Sequence, residues 1–518
     1  MIAIALCHGI RTTRDLSWPY DTDHFRDLAY AEAVLHGRWQ ADALYAGESL
    51  WYNPLVPWVV AGMSGASGIP PRVLYARAGA YLNVGGALAF FVMTGVLFDW
   101  WVAAAALFAF LFLHPGNERP FAYATYSPWL YASGFAQGLF YVGVLIARSI
   151  RRSGRALTHA AAGLWLGLTF LAHTAPALLL GGLLVVGAVW PRGEGPSDAT
   201  RRWVLSIRNL ALILLAAGIV ALPLLWSVIG RYHLRVLNHA PAEFTYGLLE
   251  PAQFLAFVRS SLSIGAACAT VGLVWLLAHR RTRQYEPVVM IWAVVNAALI
   301  VYGYAARLAL PLGVHGAVVP DFHFLFYWRA LAAVWAGVGI VAIVRACTAR
   351  ARPAAGPVAL TVVLLAGVLA AWPAYSRRFD FTVARELALS KGRDAARVQM
   401  FDWVRLRTDA AAVFLARDDD AQFVIGPAGR HVVAVDASQS NPYVDWAARA
   451  AARDDMYAAL ADIDLPRFCA GALHYRVTHV VLSEGEERTV ALHDQRVLVP
   501  AFRSGAIRIW EVAGCAGR

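Results

Sequence analysis

Three carboxylates fall within seven positions near the N-terminus, in the stretch Asp21-Thr22-Asp23-His24-Phe25-Arg26-Asp27. Acids this close together suit two kinds of chemistry. A single carboxylate can take the proton of an attacking hydroxyl, which is the task of a general base. An Asp pair such as Asp21 and Asp23 can instead hold a divalent cation, Mg or Mn, against a phosphate. Helical spacing puts Asp23, Asp27 and Tyr30 on one face. An ordinary polar loop in which one Asp caps a helix accounts for the same residues. Gly37-Arg38-Trp39 and Trp51-Tyr52-Asn53-Pro54-Leu55 follow in the same segment. Asp23, and after it Asp21, are the candidate catalytic acids; His24, Asp27, Tyr52 and Asn53 are the candidate substrate contacts.

The elements that must position these groups are membrane helices. Hydrophobic residues make up 59% of the 518-residue chain, charged residues 15%, and the mean hydropathy is +0.51. Soluble domains carry about 25% charged residues. Apolar runs long enough to span, or nearly so, cover 74–98, 101–113, 120–147, 157–172, 175–190, 209–229, 253–278, 287–305, 325–344 and 358–375. Residues 1–7 are apolar but too short to span, as expected of a first helix shortened at its start. No cleavable signal peptide is evident.

The net charge of +11 does not indicate nucleic acid, because arginines cluster between the apolar runs and there set membrane orientation. Counting runs puts the clusters at Arg148–Arg155, Arg201–Arg208, Arg280–Arg283 and Arg345–Arg352 on one side, the cytoplasmic one. Residues 11–57 and everything after Tyr375 then lie outside. Lys391 is the only lysine, a usage typical of GC-rich bacterial genomes.

From Ser376 the charged residues become common and the apolar runs shorten. Helical patterns at 397–407 and 444–460 alternate with strand-like 411–415, 423–425, 431–435, 477–482, 496–499 and 506–512, a small α/β domain. The expected organisation is 1–57, a truncated first span and external catalytic loop; 58–375, a transmembrane helical bundle; and 376–518, an extracytoplasmic α/β domain. Five scattered cysteines show no metal spacing. Cys469 and Cys515 share the last domain, where they either pair, as an oxidising compartment allows, or remain two small core residues.

The first loop resembles that of the type C (GT-C) membrane glycosyltransferases, most clearly the aminoarabinose transferase and protein O-mannosyltransferase branch. The likeness rests on Asp23 with Ala29, Ala31-Glu32, Gly37, Trp39 and Tyr52-Asn53-Pro54-Leu55. Counted back from Gly37, Asp23 falls where that family places its catalytic Asp. The family's second acid is His24 here, and Asn53 stands near the place of a lysine found in the aminoarabinose transferases. The resemblance therefore specifies a class and not a sugar. It implies a GT-C-like bundle of about 10–11 spans with a C-terminal extracytoplasmic α/β domain, and a polyprenyl-phosphate-linked sugar as donor. It also implies a glycan, lipid or protein acceptor and a bacterial plasma-membrane location. The class contains both metal-dependent and metal-independent members.

A polyprenyl phosphate needs cationic or donor groups at the external helix ends. By topology these are Arg119, His173, Arg231, His233, Arg235, Arg307, His315, His323 and Arg329. Pro320-Asp321-Phe322-His323-Phe324 resembles the Pro-x-x-His-Phe entry to a late span in bacterial members of the class. His323, Arg329, His173 and Arg119 are the candidate phosphate contacts. The segments Gly426-Pro427-Ala428-Gly429-Arg430-His431 and Ser438-Gln439-Ser440-Asn441-Pro442-Tyr443 are assigned no catalysis, only structural support or acceptor docking. The alternatives are a non-catalytic scaffold, in which Asp21 and Asp23 are dispensable, and a transporter or flippase, which would place acids at mid-membrane.

Overall fold

A backbone in hydrocarbon has no water to bond, so each apolar run must close its own hydrogen bonds as a helix. The computed structural model describes residues 1–113, 124–152, 155–189, 199–243, 262–279, 287–350, 352–490 and 497–515. Among these, six helices are long and apolar enough to cross a membrane: Gly79–Leu97, Ala132–Arg152, Trp203–Arg231, Pro287–Leu312, Phe322–Thr348 and Ala355–Ser376. Shorter apolar helices, Trp100–Phe112, Ala156–Ala172, Thr174–Val189 and Ile264–Ala278, occupy the other expected runs. The run at 120–147 begins its described helix at Ala132. Just before it, the Asn83 amide donates to the carbonyls of Ser127 (2.9 Å) and Trp129 (2.8 Å) and fixes an irregular path. The Trp203–Arg231 helix carries Pro223 and ends in a π-helical turn from Trp226 to Arg231, a recognised cause of bending.

Two compact units share the chain. The first comprises Met1–Asp15, Arg77–Leu222 and Thr245–Arg385. Its helices pack through small residues and aromatic rings. A Cβ on Gly272 would lie 1.9 Å from the Trp335 carbonyl oxygen, and one on Gly339 would lie 2.0 Å from that of Cys268. The helices Ile264–Ala278 and Phe322–Thr348 therefore cross backbone to backbone, as glycine permits in membranes. Phe90 stacks on Phe110 at 4.4 Å, and Phe140 meets Tyr327 at 4.7 Å. The short N-terminal helix, Ile2–Thr13, belongs to this unit.

The composition changes at Ser376, yet the first unit continues to Arg385. Arg378 and Asp380 form a buried ion pair (2.7 Å), Trp129 donates its indole N–H to the Asp380 carbonyl (2.7 Å), and Arg385 pairs with Asp15 (2.6 Å). These bonds tie residues 376–385 to the helices.

The second unit joins Leu16–Ala76, Pro223–Phe244 and Glu386–Arg518. Its sheet has the order β2-β1-β3-β5-β4, from β1 (Val413–Leu415), β2 (His431–Val432), β3 (His479–Ser483), β4 (Leu498–Ser504) and β5 (Ile507–Val512). The pairs β2-β1-β3 are parallel and β3-β5-β4 antiparallel. Helices Ala395–Arg407 and Trp446–Ala461 match the expected ones. The strand expected at 423–425 is instead a π-helical turn, Ala421–Ile425. Phe423 there packs against Phe25 (5.2 Å) and under the Lys391 ammonium (3.7 Å), so its apolar face is satisfied without a ladder. Cys469 and Cys515 are joined as a disulfide within this unit.

Candidate active site

The helix Thr22–Leu35 begins at the acids because Asp21 caps it. Asp21 is extended (φ −97°, ψ 150°) and accepts the Asp23 N–H at 3.1 Å. Of the three acids, then, Asp21 serves the backbone. Asp23 lies in the first turn with 45% of its side chain exposed. Asp27, one turn on, is buried, its side chain 2% exposed.

Arg26 reaches both of the other acids. Its Nη1 lies 3.1 Å from Asp23 Oδ1, and its Nη2 and Nε lie 3.3 and 3.4 Å from Asp27 Oδ1. The guanidinium also covers the Tyr52 ring at 3.7 Å, an arrangement that favours a cation on an aromatic face. Tyr52 stacks in turn on Tyr30 at 6.3 Å. Burial pushes the Asp27 carboxyl up to about 7, against the pull of Arg26. Burial also drives His24 down to about 3, so that it is a neutral imidazole, edge-on to Tyr20 at 5.5 Å. Asn53 is buried and Tyr52 partly so.

A segment more than 400 residues downstream completes the cluster. Gln439 Oε1 accepts from Arg26 Nη1 at 3.2 Å, and its Nε2 donates to Asp23 Oδ1 at 3.5 Å. The loop bearing Gln439 is pinned on all sides. Ser440 Oγ bonds Tyr45 Oη (2.8 Å), Asn441 Nδ2 donates to Asp42 Oδ2 (2.8 Å), and Asn238 Nδ2 donates to the Ala437 carbonyl (2.8 Å). The Tyr232 and Tyr443 rings stack at 5.0 Å. Sequence reasoning identified neither Arg26 nor Gln439 as part of the site. Arg26 carried a signal, sitting three residues from Asp23 and next to Asp27. Gln439 lies in the Ser438–Tyr443 segment, for which the sequence indicated support or docking and no part in the site.

The Gly429-Arg430 turn is structural. Gly429 adopts φ +80°, its carbonyl accepts from Arg38 Nη2 (2.6 Å), and Arg430 Nη2 donates to the carbonyls of Arg405 and Thr408 (both 2.8 Å).

In the other unit, two of the expected phosphate contacts are brought together: the His173 and His323 rings lie 4.7 Å apart. His173 Nδ1 accepts the Ala175 N–H (3.2 Å), which puts the proton of the neutral ring on Nε2. His323 Nδ1 lies 2.9 Å from the Pro320 carbonyl and is the donor. Arg329 is half-buried, six residues along the helix from His323. Arg307 is paired instead with Asp321 at 2.7 Å, both buried. Arg119 lies outside the described residues.

No protein-family model matches the sequence, and no curated protein matches it. Solved structures do. ArnT from Cupriavidus metallidurans bound to undecaprenyl phosphate superposes with a TM-score of 0.53 at 15% identity, over 100% of this chain and 98% of that one. The apo state of the same ArnT gives 0.52 at 14%, with the same coverage. The Archaeoglobus fulgidus oligosaccharyltransferase in complex with Zn and sulfate gives 0.51 at 12%, over 96% of this chain and 71% of that one. The likeness is one of fold: this chain, with its apolar helices and small C-terminal sheet, shares the fold of these structures over nearly all of its length.

Proposed function

We propose that this chain is a membrane glycosyltransferase that moves a sugar from a polyprenyl-phosphate donor to an extracytoplasmic acceptor, with Asp23 as general base. The observation that carries the reading is the position of Asp23. It is the half-exposed carboxylate of the three, anchored by Arg26 on a GT-C fold, while Asp21 is engaged as a helix cap and Asp27 is buried.

The chemistry follows from what each group offers. The acceptor's hydroxyl or amine hydrogen passes to the Asp23 carboxylate as the acceptor atom bonds to the anomeric carbon. The bond from that carbon to the carrier phosphate breaks, and its electron pair leaves with the phosphate. The phosphate departs as a stable anion, so no acid is needed at the leaving group, and direct displacement inverts the anomeric centre. Arg26 holds Asp23 by a charge-assisted contact at 3.1 Å and fixes its orientation.

Among the substrate-side candidates, Tyr52 is partly exposed, while His24, Asp27 and Asn53 are buried. His323 and His173, with Arg329 and Arg119, are proposed to meet the carrier phosphate. A divalent ion at Asp21 and Asp23 is not supported by the donor set. Asp21 caps the helix and Arg26 already neutralises Asp23, which is the arrangement of an ion pair rather than a cation cage.

The proposed setting is a bacterial plasma membrane, with residues 1–57 supplying the catalytic loop, 58–375 the bundle and 376–518 an outward-facing domain. The arginine distribution supports that orientation, and so does the Cys469–Cys515 disulfide, a bond of oxidising compartments. The test is transfer of radiolabelled sugar from a panel of synthetic polyprenyl-phosphate donors to cell-envelope acceptors in proteoliposomes, wild type beside Asp23→Asn. Asparagine keeps the size of the side chain but cannot take a proton. A scaffold would tolerate it; a transferase using Asp23 would not.

A further inference from the structure

The Gln439 amide sits between a cation and an anion, and only one of its two orientations suits both. With Oε1 toward Arg26 Nη1 (3.2 Å) and Nε2 toward Asp23 Oδ1 (3.5 Å), it closes a ring with the Arg26–Asp23 pair (3.1 Å). Both bonds to the Asp23 carboxylate fall on Oδ1, and among the described residues Oδ2 has no hydrogen-bond partner. With 45% of the side chain exposed, Oδ2 is the oxygen available to an incoming proton.

From this ring we infer that Gln439 is a positioning residue, which locks Asp23 through Oδ1, turns Oδ2 outward as the proton-accepting oxygen, and makes the C-terminal segment part of the catalytic apparatus. The inference rests on the reading of Asp23 as the base and adds a second role for the 436–443 loop, which otherwise looks like packing. The loop is built for such a task. Asp436 caps the 3-10 turn Ala437–Gln439 by accepting the Ser438 N–H at 2.9 Å. On either side of Gln439 the Ala437 carbonyl and the Ser440 hydroxyl are fixed by Asn238 and Tyr45. A side chain held on both flanks keeps its geometry at little entropic cost when it acts.

The titratable and charged groups that face Asp23 are Asp21, His24, Arg26 and Asp27 on its own helix, together with Tyr52 and the neutral Gln439. An N–H bond to a carboxylate favours the anion, and a neighbouring carboxylate disfavours it. Gln439→Ala should therefore lower kcat about tenfold at neutral pH, leave the donor KM unchanged, and move the acid limb of the kcat–pH profile upward. Gln439→Glu should move that limb further in the same direction. Gln439→Asn, which keeps the amide on a shorter stem, should recover part of the loss. A side chain with a purely structural part would reduce the yield of folded protein and leave the limb in place.

A second measurement needs no turnover. Thermal midpoints of the full-length wild type, Asp23→Asn, Gln439→Ala and the double variant form a cycle, and direct contact predicts non-additive shifts. Non-additive midpoints together with a displaced acid limb support the inference. Additive midpoints, or a Gln439→Glu limb that superimposes on the wild type, overturn it. Non-additive midpoints in a chain that transfers no sugar from any donor would also overturn it, leaving a structural contact, and would separately remove the transferase reading.

Discussion

Replacing Asp27 by Asn should stabilise the protein, and only above a defined pH. The Asp27 side chain is 2% exposed, and burial holds its carboxyl near 7 although Arg26 lies 3.3 Å away. One guanidinium shared between two acids, and lying over a tyrosine ring, does not offset the loss of water around the inner carboxylate. In the unfolded chain the same group releases its proton near 3.8. Between these values the native state binds more protons than the unfolded state, so this group makes stability fall as pH rises, beginning near pH 4 and reaching its full effect above pH 7. A difference of about 3 units at 1.36 kcal/mol each amounts to about 4 kcal/mol. Asparagine resembles the protonated acid and never ionises, so the variant should match the wild type near pH 4 and exceed it at pH 8. In a unit of roughly 200 residues, about 4 kcal/mol corresponds to a midpoint shift of about 8–16 °C. The assay is thermal unfolding of both proteins in one detergent at half-unit pH steps. A difference that stays flat from pH 4 to 8, or a variant less stable than the wild type at pH 8, would refute the reasoning.

Other consequences follow from particular contacts. The Cys469–Cys515 disulfide closes 46 residues, so Cys469→Ala with Cys515→Ala should lower the stability of the second unit by about 4 kcal/mol, read as a drop in thermal midpoint that reductant reproduces in the wild type. Asn441→Ala leaves the buried Asp42 carboxylate without its 2.8 Å donor; a loss of about 1–3 kcal/mol should follow, with faster proteolysis in the 436–443 loop. His323→Ala and His173→Ala should raise the KM for the polyprenyl-phosphate donor by about tenfold and leave kcat within a few-fold, since they are proposed to bind the carrier and not the reacting atoms. Steady-state kinetics over a range of donor concentrations checks this.

What the sequence disclosed follows the range over which its signals act. Apolar runs announce helices locally, and each of the ten runs holds a described helix, though the one in the 120–147 run begins only at Ala132 and the one in the 253–278 run at Ile264 among the described residues. The Asp21 cap and the face shared by Asp23 and Asp27 were likewise legible, being contained in two helical turns. The place of Gln439 beside Asp23 was not, although its Ser438–Tyr443 segment stood out as support or docking; it is in the site because Tyr45, Asp42 and Asn238 pin its loop, at separations of 199 to 399 residues. The gathering of residues 16–76 with 386–518 into one unit escaped notice for the same reason. Residues 423–425 misled because three apolar residues suit a strand or a turn equally. Pairing of Cys469 with Cys515 was one of two alternatives that their shared domain left open, and the disulfide decides it; the two histidines were visible only as single residues, their approach being a matter of distance that spacing does not encode.

The central claim rests on one carboxylate, and the most direct measurement is sugar transfer by Asp23→Asn in proteoliposomes, with folding confirmed by a thermal midpoint close to that of the wild type. The account predicts that wild type transfers sugar from at least one polyprenyl-phosphate donor and that the variant does so about 10²–10⁴-fold more slowly, the range for loss of a general base. Transfer by the variant at the wild-type rate would contradict it.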